Sequence, residues 1–198
     1  MKIKNENNLI KYKTNLPKKV FCCDDFSKDN KVRNIKDAIL KKYIQSNNFN
    51  SIDWLIFDID RNTCLDEVIN DKLAPVPNIF VSNPEKRHAH LFYKLDKPVH
   101  KNSFSSQKAL RYAAAVEYGL ANKLGADLAY GGLLAQNPLH DHWLIQYADN
   151  TAYDLHYLAD CVDTTLIDNK AANQAAYGLD RNCSLFNQVR EWAYKAIR

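Results

Sequence analysis

Leu55-Ile-Phe-Asp-Ile-Asp-Arg61 decides how this chain is read. An apolar run interrupted by two carboxylates has the pattern of a buried strand. Alternate side chains of a strand share a face, so Asp58 and Asp60 point one way while Phe57 and Ile59 point the other. Two like charges on an otherwise apolar strand repel one another and lose hydration. A divalent metal between them is the usual remedy. The competing reading is a strand running out into a solvated acidic turn, with Asp60-Arg61-Asn62 as plain surface. Short Asp-x-Asp strings are common, and this stretch alone leaves both readings open.

Working outward, residues 1–30 are polar and rich in Lys and Asn. The stripe Ile35, Ala38, Ile39, Tyr43 and Ile44 predicts a helix over Asn34–Gln45, broken by Asn47-Asn48-Phe49-Asn50-Ser51. Beyond the Asp-bearing strand, a turn-rich segment from Asn70 to Pro77 leads to a second strand, Asn78–Ser82, closed by Asn83-Pro84. A third strand, His88–Leu95, follows after a short turn, which predicts a hairpin. Leu110, Ala113, Ala114, Glu117, Leu120 and Ala121 follow the 3.6 period and predict a helix over Ser106–Leu124, stopped by Gly125. A loop holding Asp127 and Gly131-Gly132 precedes a strand at Trp143–Tyr147. Leu155–Val162 reads as a short helix and Cys183–Arg198 as an amphipathic one. Strands interleaved with helices, an antiparallel hairpin among them, predict an α+β fold rather than a doubly wound sheet.

The chain has 198 residues, 46% hydrophobic and 25% charged, enough for one large domain or two small lobes. Its net charge of +4 is a mild basic excess, compatible with a nucleic-acid partner without requiring one. No apolar run is long enough to span a membrane, and the N-terminus lacks the apolar core of a signal peptide. Cys22, Cys23, Cys64, Cys161 and Cys183 form neither a Cys-x-x-Cys pair nor a zinc pattern. They read as reduced thiols, which predicts a cytoplasmic protein.

Further chemistry lies downstream. In His88-Ala-His-Leu-Phe-Tyr-Lys94, residues 88, 90, 92 and 94 share a face. Two imidazoles and an ammonium on one face suit an anionic ligand such as phosphate. The alternatives are structural histidines or a zinc pair, the latter without a third ligand at a recognisable spacing. Asp127 follows the long helix and is either a turn residue or a third carboxylate. Arg181 and Asn182 precede the last helix, where Arg181 reaches a phosphate or lies on the surface. Together these predict a nucleotidyl-transfer site: three aspartates hold two Mg²⁺ or Mn²⁺ ions and basic strand residues hold a nucleoside triphosphate. A metal-dependent nuclease is the rival enzyme, disfavoured here because no lysine or histidine adjoins Asp58-Ile-Asp60 in sequence. A DNA-binding module with structural carboxylates is the non-catalytic alternative.

Several strings carry a resemblance: Phe57-Asp-Ile-Asp-Arg61, Asn83-Pro84, His88-Ala-His-Leu91, Gly125-Ala-Asp127 and Gly132-Leu-Leu-Ala-Gln-Asn-Pro-Leu-His140 with Trp143. Arg181-Asn-Cys-Ser-Leu-Phe186 and Arg190-Glu-Trp-Ala-Tyr194 add to it. In this order they resemble the plasmid Replicase family, from about Asn15 to the last residue. These are the replication initiators of colicin-E-type plasmids, whose catalytic part belongs to the archaeo-eukaryotic primase superfamily. The resemblance implies a PrimPol-like fold with an RRM-like catalytic lobe over about residues 51–150. About residues 1–50 and parts of the C-terminal region would form a small α/β accessory lobe. It implies that Asp58, Asp60 and Asp127 bind metal and that His90 contacts the incoming nucleotide, with His88 in the small-residue place before it. Lys94 and Arg181 are added here as phosphate contacts. The implied activity is synthesis of a short RNA primer at the plasmid origin, extended by host DNA polymerase I in a bacterial cytoplasm.

The chain departs from the family pattern in places. His88 is bulkier than the usual small residue, Gln136 stands where lysine is expected, Glu85-Lys86-Arg87 replaces a glycine-richer turn, and Asp180 replaces a glycine. Family initiators continue into a C-terminal origin-binding region, so a chain ending at Arg198 is expected to be a catalytic core.

Overall fold

In the computed structural model, residues 6–101, 105–147 and 151–166 are described. They build two four-stranded antiparallel sheets with helices packed on them, the α+β architecture expected from the sequence. The first sheet has the order β2-β1-β3-β7, from β1 Lys19–Cys23, β2 Lys31–Asn34, β3 Tyr43–Ile44 and β7 Ala135–Gln136. The second has the order β4-β6-β5-β8, from β4 Ser51–Ile59, β5 Ile79–Ser82, β6 Ala89–His100 and β8 Leu144–Tyr147. Four α-helices accompany them: α1 Glu6–Asn15, α2 Ile35–Ala38, α3 Gln107–Leu124 and α4 Leu155–Asp160.

Alternation along β4 gives the second sheet two buried faces. Leu55, Phe57 and Ile59 pack with Leu91 and Tyr93 of β6 and with Val116, Leu120 and Leu124 of α3. Trp54 and Ile56 point the other way, with Phe92, Ile79 and Val81, and meet Tyr12 of α1, Ala135 of β7 and Trp143. Each such side chain contributes about 1.5–3 kcal/mol on leaving water. A strand buried on both faces reads as a near-continuous apolar run. A carboxylate inside that run is therefore conspicuous. Tyr12 is wholly buried, and its hydroxyl is hydrogen-bonded to Ser46 Oγ at 2.6 Å.

The long helix forms as its sequence requires. Ser106 Oγ accepts the Ala109 amide at 3.3 Å, capping the N-terminus, and Gly125 closes the other end at φ 64°. The hairpin of β5 and β6 is also present, its turn built by Asn83, whose Oδ1 accepts the amides of Glu85 at 2.8 Å and Lys86 at 3.0 Å.

One expectation needs correction. The helix over Asn34–Gln45 is only α2, Ile35–Ala38, after which the chain turns into β3. The cause is tertiary. Asn137 Nδ2 donates to the carbonyls of Ile39 at 2.9 Å and Lys41 at 2.7 Å, and Trp143 Nε1 donates to that of Lys42 at 2.8 Å. Those distant donors take the carbonyls a longer helix would bond internally. The polar N-terminal stretch holds α1 and leads into the hairpin β1–β2. Arg181 and the expected helix Cys183–Arg198 lie outside the described residues. Among the described residues no helix is long and apolar enough to cross a membrane, and Cys22, Cys23, Cys64 and Cys161 are free thiols.

Candidate active site at the end of β4

Antiparallel pairing places Asp58 directly opposite His90 and Ile59 opposite Ala89. The His90 ring is nearly buried, and its Nε2 lies 3.0 Å from Asp58 Oδ1. On the ring's other side the Gln136 amide donates to Nδ1 at 2.7 Å. A nitrogen that accepts carries no proton, so the ring proton sits on Nε2 and is donated to Asp58. Just past the strand end the relationship repeats more loosely, with His88 Nδ1 at 3.6 Å from Asp60 Oδ1. Asp60 is largely exposed and Asp58 mostly covered, with side-chain exposures of 64% and 20%.

The segment after α3 wraps this end of the sheet. The Asp127 amide donates to the Asp58 carbonyl at 2.8 Å, joining the third aspartate to the first through the main chain. Asp127 Oδ1 accepts the Ala129 amide at 2.8 Å, which starts a turn. That turn sets the Tyr130 ring 5.2 Å from the His90 ring, and Tyr130 donates its hydroxyl to the Leu134 carbonyl at 2.8 Å. Burial, reinforced by the Asp58 carboxylate, holds the Tyr130 phenol well above its usual range. Tyr43 is shifted the same way by burial and then by Cys23 and Asp58, so β3 of the first sheet also borders the site.

Of the residues singled out in sequence, Asp58 meets His90, Asp60 meets His88, and Asp127 adjoins Asp58 through its main chain. Lys94 stands apart. It lies about 13 Å along β6 from His90. Its Nζ is 3.2 Å from Asp53 Oδ1 and 5.3 Å from the centre of the Trp54 ring. Sequence reading missed Tyr130, Tyr43 and the Gln136 amide, which reach the site only through the loop from α3 to β7 and through the first sheet. It also missed Arg61, whose Nη1 donates to the Gly125 carbonyl at 2.7 Å. Gln136 Oε1 is buried without a hydrogen-bond partner, where an unmet acceptor costs about 1–3 kcal/mol. The sequence argument against hydrolysis fails as well, since His90 and His88 stand beside Asp58 and Asp60 across the strand pair.

Among the described residues no three His, Cys, Asp or Glu side chains form a ready-made metal cage. The donors at this end are nonetheless hard carboxylate oxygens, the class that suits Mg²⁺ or Mn²⁺. Mg²⁺ is ordinarily held by one or two carboxylates, with water and substrate phosphates completing its shell. The residues present fit an ion of that kind.

The Replicase family matches residues 15–162, which span both sheets and all of this site. The chain belongs to the Replicase family. No sequence among curated proteins matches this Replicase-family chain. Its fold is similar to that of a solved domain described as the archaeo-eukaryotic primase domain of the cyanophage S-2L primase-polymerase. The TM-score is 0.52 at 12% identity, covering 73% of this chain and 88% of that one. This likeness establishes an archaeo-eukaryotic primase fold for the Replicase chain.

Proposed function

We propose that this chain is a plasmid replication initiator that acts as a primase, copying a DNA template into a short RNA primer at the plasmid origin. The observation that carries the reading is the Asp58–His90 pair at the end of β4, with Asp127 joined to Asp58 through its amide. Family membership and the primase-polymerase named for the solved neighbour support it.

Asp58, Asp60 and Asp127 would hold the divalent ions. When bound, these would lower the cost of charge on the attacking hydroxyl and the departing pyrophosphate. His90 donates its single N–H to Asp58, and reaching a phosphate oxygen when a nucleoside triphosphate enters requires it to exchange that bond. His88, half exposed next to Asp60, adds a second donor at the rim. Tyr130 packs its ring against that of His90. Lys94 has no part in this reading, because Asp53 and Trp54 already occupy it. Arg181 remains a proposed phosphate contact on sequence grounds. A host DNA polymerase would extend the primer.

The test is primer synthesis by the full-length protein on single-stranded DNA carrying its own origin, with NTPs and Mg²⁺ or Mn²⁺. The expected product is a metal-dependent oligoribonucleotide made by wild type and absent with Asp58→Asn. No product from wild type overturns the reading, and shortening of the template in its place assigns a nuclease.

A further inference from the structure

Arg61 follows Asp60 directly, yet its side chain turns away from both aspartates. Its Nη1 donates to the Gly125 carbonyl at 2.7 Å and its Nη2 to the Leu124 carbonyl at 3.0 Å. The same Nη2 lies 2.7 Å from Glu67 Oε1, and Thr63 Oγ1 donates to Glu67 Oε2 at 2.8 Å. The last carbonyls of a helix have no partner within it and carry partial negative charge. A guanidinium there satisfies two of them at once and adds favourable charge. Gly125 leaves room for this, since a Cβ at that position would meet Arg61 Nη1 at 3.3 Å.

The contacts link two places far apart in sequence. One is the strand end carrying Asp58 and Asp60. The other is the turn that leaves α3 for Asp127, whose amide lies on the Asp58 carbonyl. Arg61 and that amide are thus two ties across the same gap. Both tie the turn that carries Asp127 to the strand that carries Asp58 and Asp60.

We propose that Arg61, aimed by Glu67 and Thr63, is a positioning residue that fixes the spacing of Asp127 from Asp58 and Asp60 and so assembles the divalent-cation site. This rests on the metal-dependent reading above. Its fork spans two carbonyls and a carboxylate together, which the point charge of lysine does not. Partners outside the ligand set that hold ligands in place commonly govern metal affinity by 10- to 100-fold (on the order of).

The test is titration of Mn²⁺ into the purified protein, with binding read from the loss of the free-ion EPR signal. Arg61→Gln is expected to weaken Mn²⁺ about tenfold or more, with Arg61→Lys in between. In primer assays Arg61→Gln raises the KM for Mn²⁺ more than it lowers kcat. Should Arg61→Gln fail to fold by circular dichroism, Glu67→Gln, which leaves the carbonyl contacts but loosens their aim, is expected to shift affinity in the same direction. Arg61→Gln that binds Mn²⁺ like wild type, or Glu67→Gln doing so in its place, while Asp58→Asn has lost binding, overturns the positioning role alone. Asp58→Asn that binds like wild type overturns the metal reading and the positioning role with it.

Discussion

His90 and Asp58 face each other on neighbouring strands, the imidazole Nε2 3.0 Å from the carboxylate. The geometry separates charge from shape. Asp58→Asn keeps an oxygen for the His90 N–H and loses the charge. Primer synthesis should fall at least about 100-fold, while unfolding free energy stays within about 1 kcal/mol of wild type. Product gels and denaturant titration on one preparation measure both.

His90→Ala removes the ring and leaves the Gln136 amide without its acceptor. A buried donor left unmet costs about 1–3 kcal/mol, and lost packing adds to it. This variant is expected to be less stable than Asp58→Asn and as inactive. Equal melting temperatures for wild type and His90→Ala would contradict the buried hydrogen bond.

Lys94→Met is predicted to behave differently. Its ammonium pairs with Asp53 and lies over Trp54, so the substitution should cost about 1 kcal/mol of stability. Primer synthesis should remain within about twofold of wild type at saturating nucleotide. A selective rise in KM for the nucleotide would restore Lys94 to the phosphate site.

Gly119 sits where α3 meets the end of α4. An added Cβ would come 2.8 Å from the Asp163 carbonyl and 2.9 Å from Val162 Cγ2. Backbone does not yield as a side-chain tip does, so Gly119→Ala should destabilise by about 1–3 kcal/mol despite alanine's higher helix propensity. Thermal unfolding decides the sign.

The Arg61 guanidinium, helped by Thr63, holds the Glu67 carboxyl below its ordinary value. A group whose pKa is lower folded than unfolded stabilises the fold above the unfolded value and loses that contribution as pH falls. Stability should therefore decline as pH drops from the usual glutamate range, and Glu67→Gln should show a shallower decline. Parallel slopes in acid denaturation of the two proteins would count against the ion pair.

How much of this was legible in sequence depends on how local each cause was. The 3.6 period from Leu110 to Ala121 announced α3 and Gly125 its end, because both signals act within a turn or two of backbone. Asp58 with Asp60 and His88 with His90 were legible as pairs because the strand period puts each pair on one face. The pairing of β4 with β6 that brings the two pairs together skips β5 and was not legible. The helix expected over Asn34–Gln45 failed because Asn137 and Trp143, roughly a hundred residues on, claim its carbonyls. Lys94 was misplaced for a related reason. Period 2 assigns it a face correctly, but distance along the strand and the competing Asp53 decide what it touches. Tyr130 and Arg61 gave no local signal, since each acts across a loop that only folding closes.

The imidazole of His90 is gripped from both sheets, by Asp58 of the second and by Gln136 of the first. Its tilt therefore works as a gauge of the gap between them. A template or nucleotide that pries the sheets apart must lengthen one grip or the other. The ring's ¹⁵N resonances, one protonated and one accepting, would register that strain long before any strand moved far enough to see.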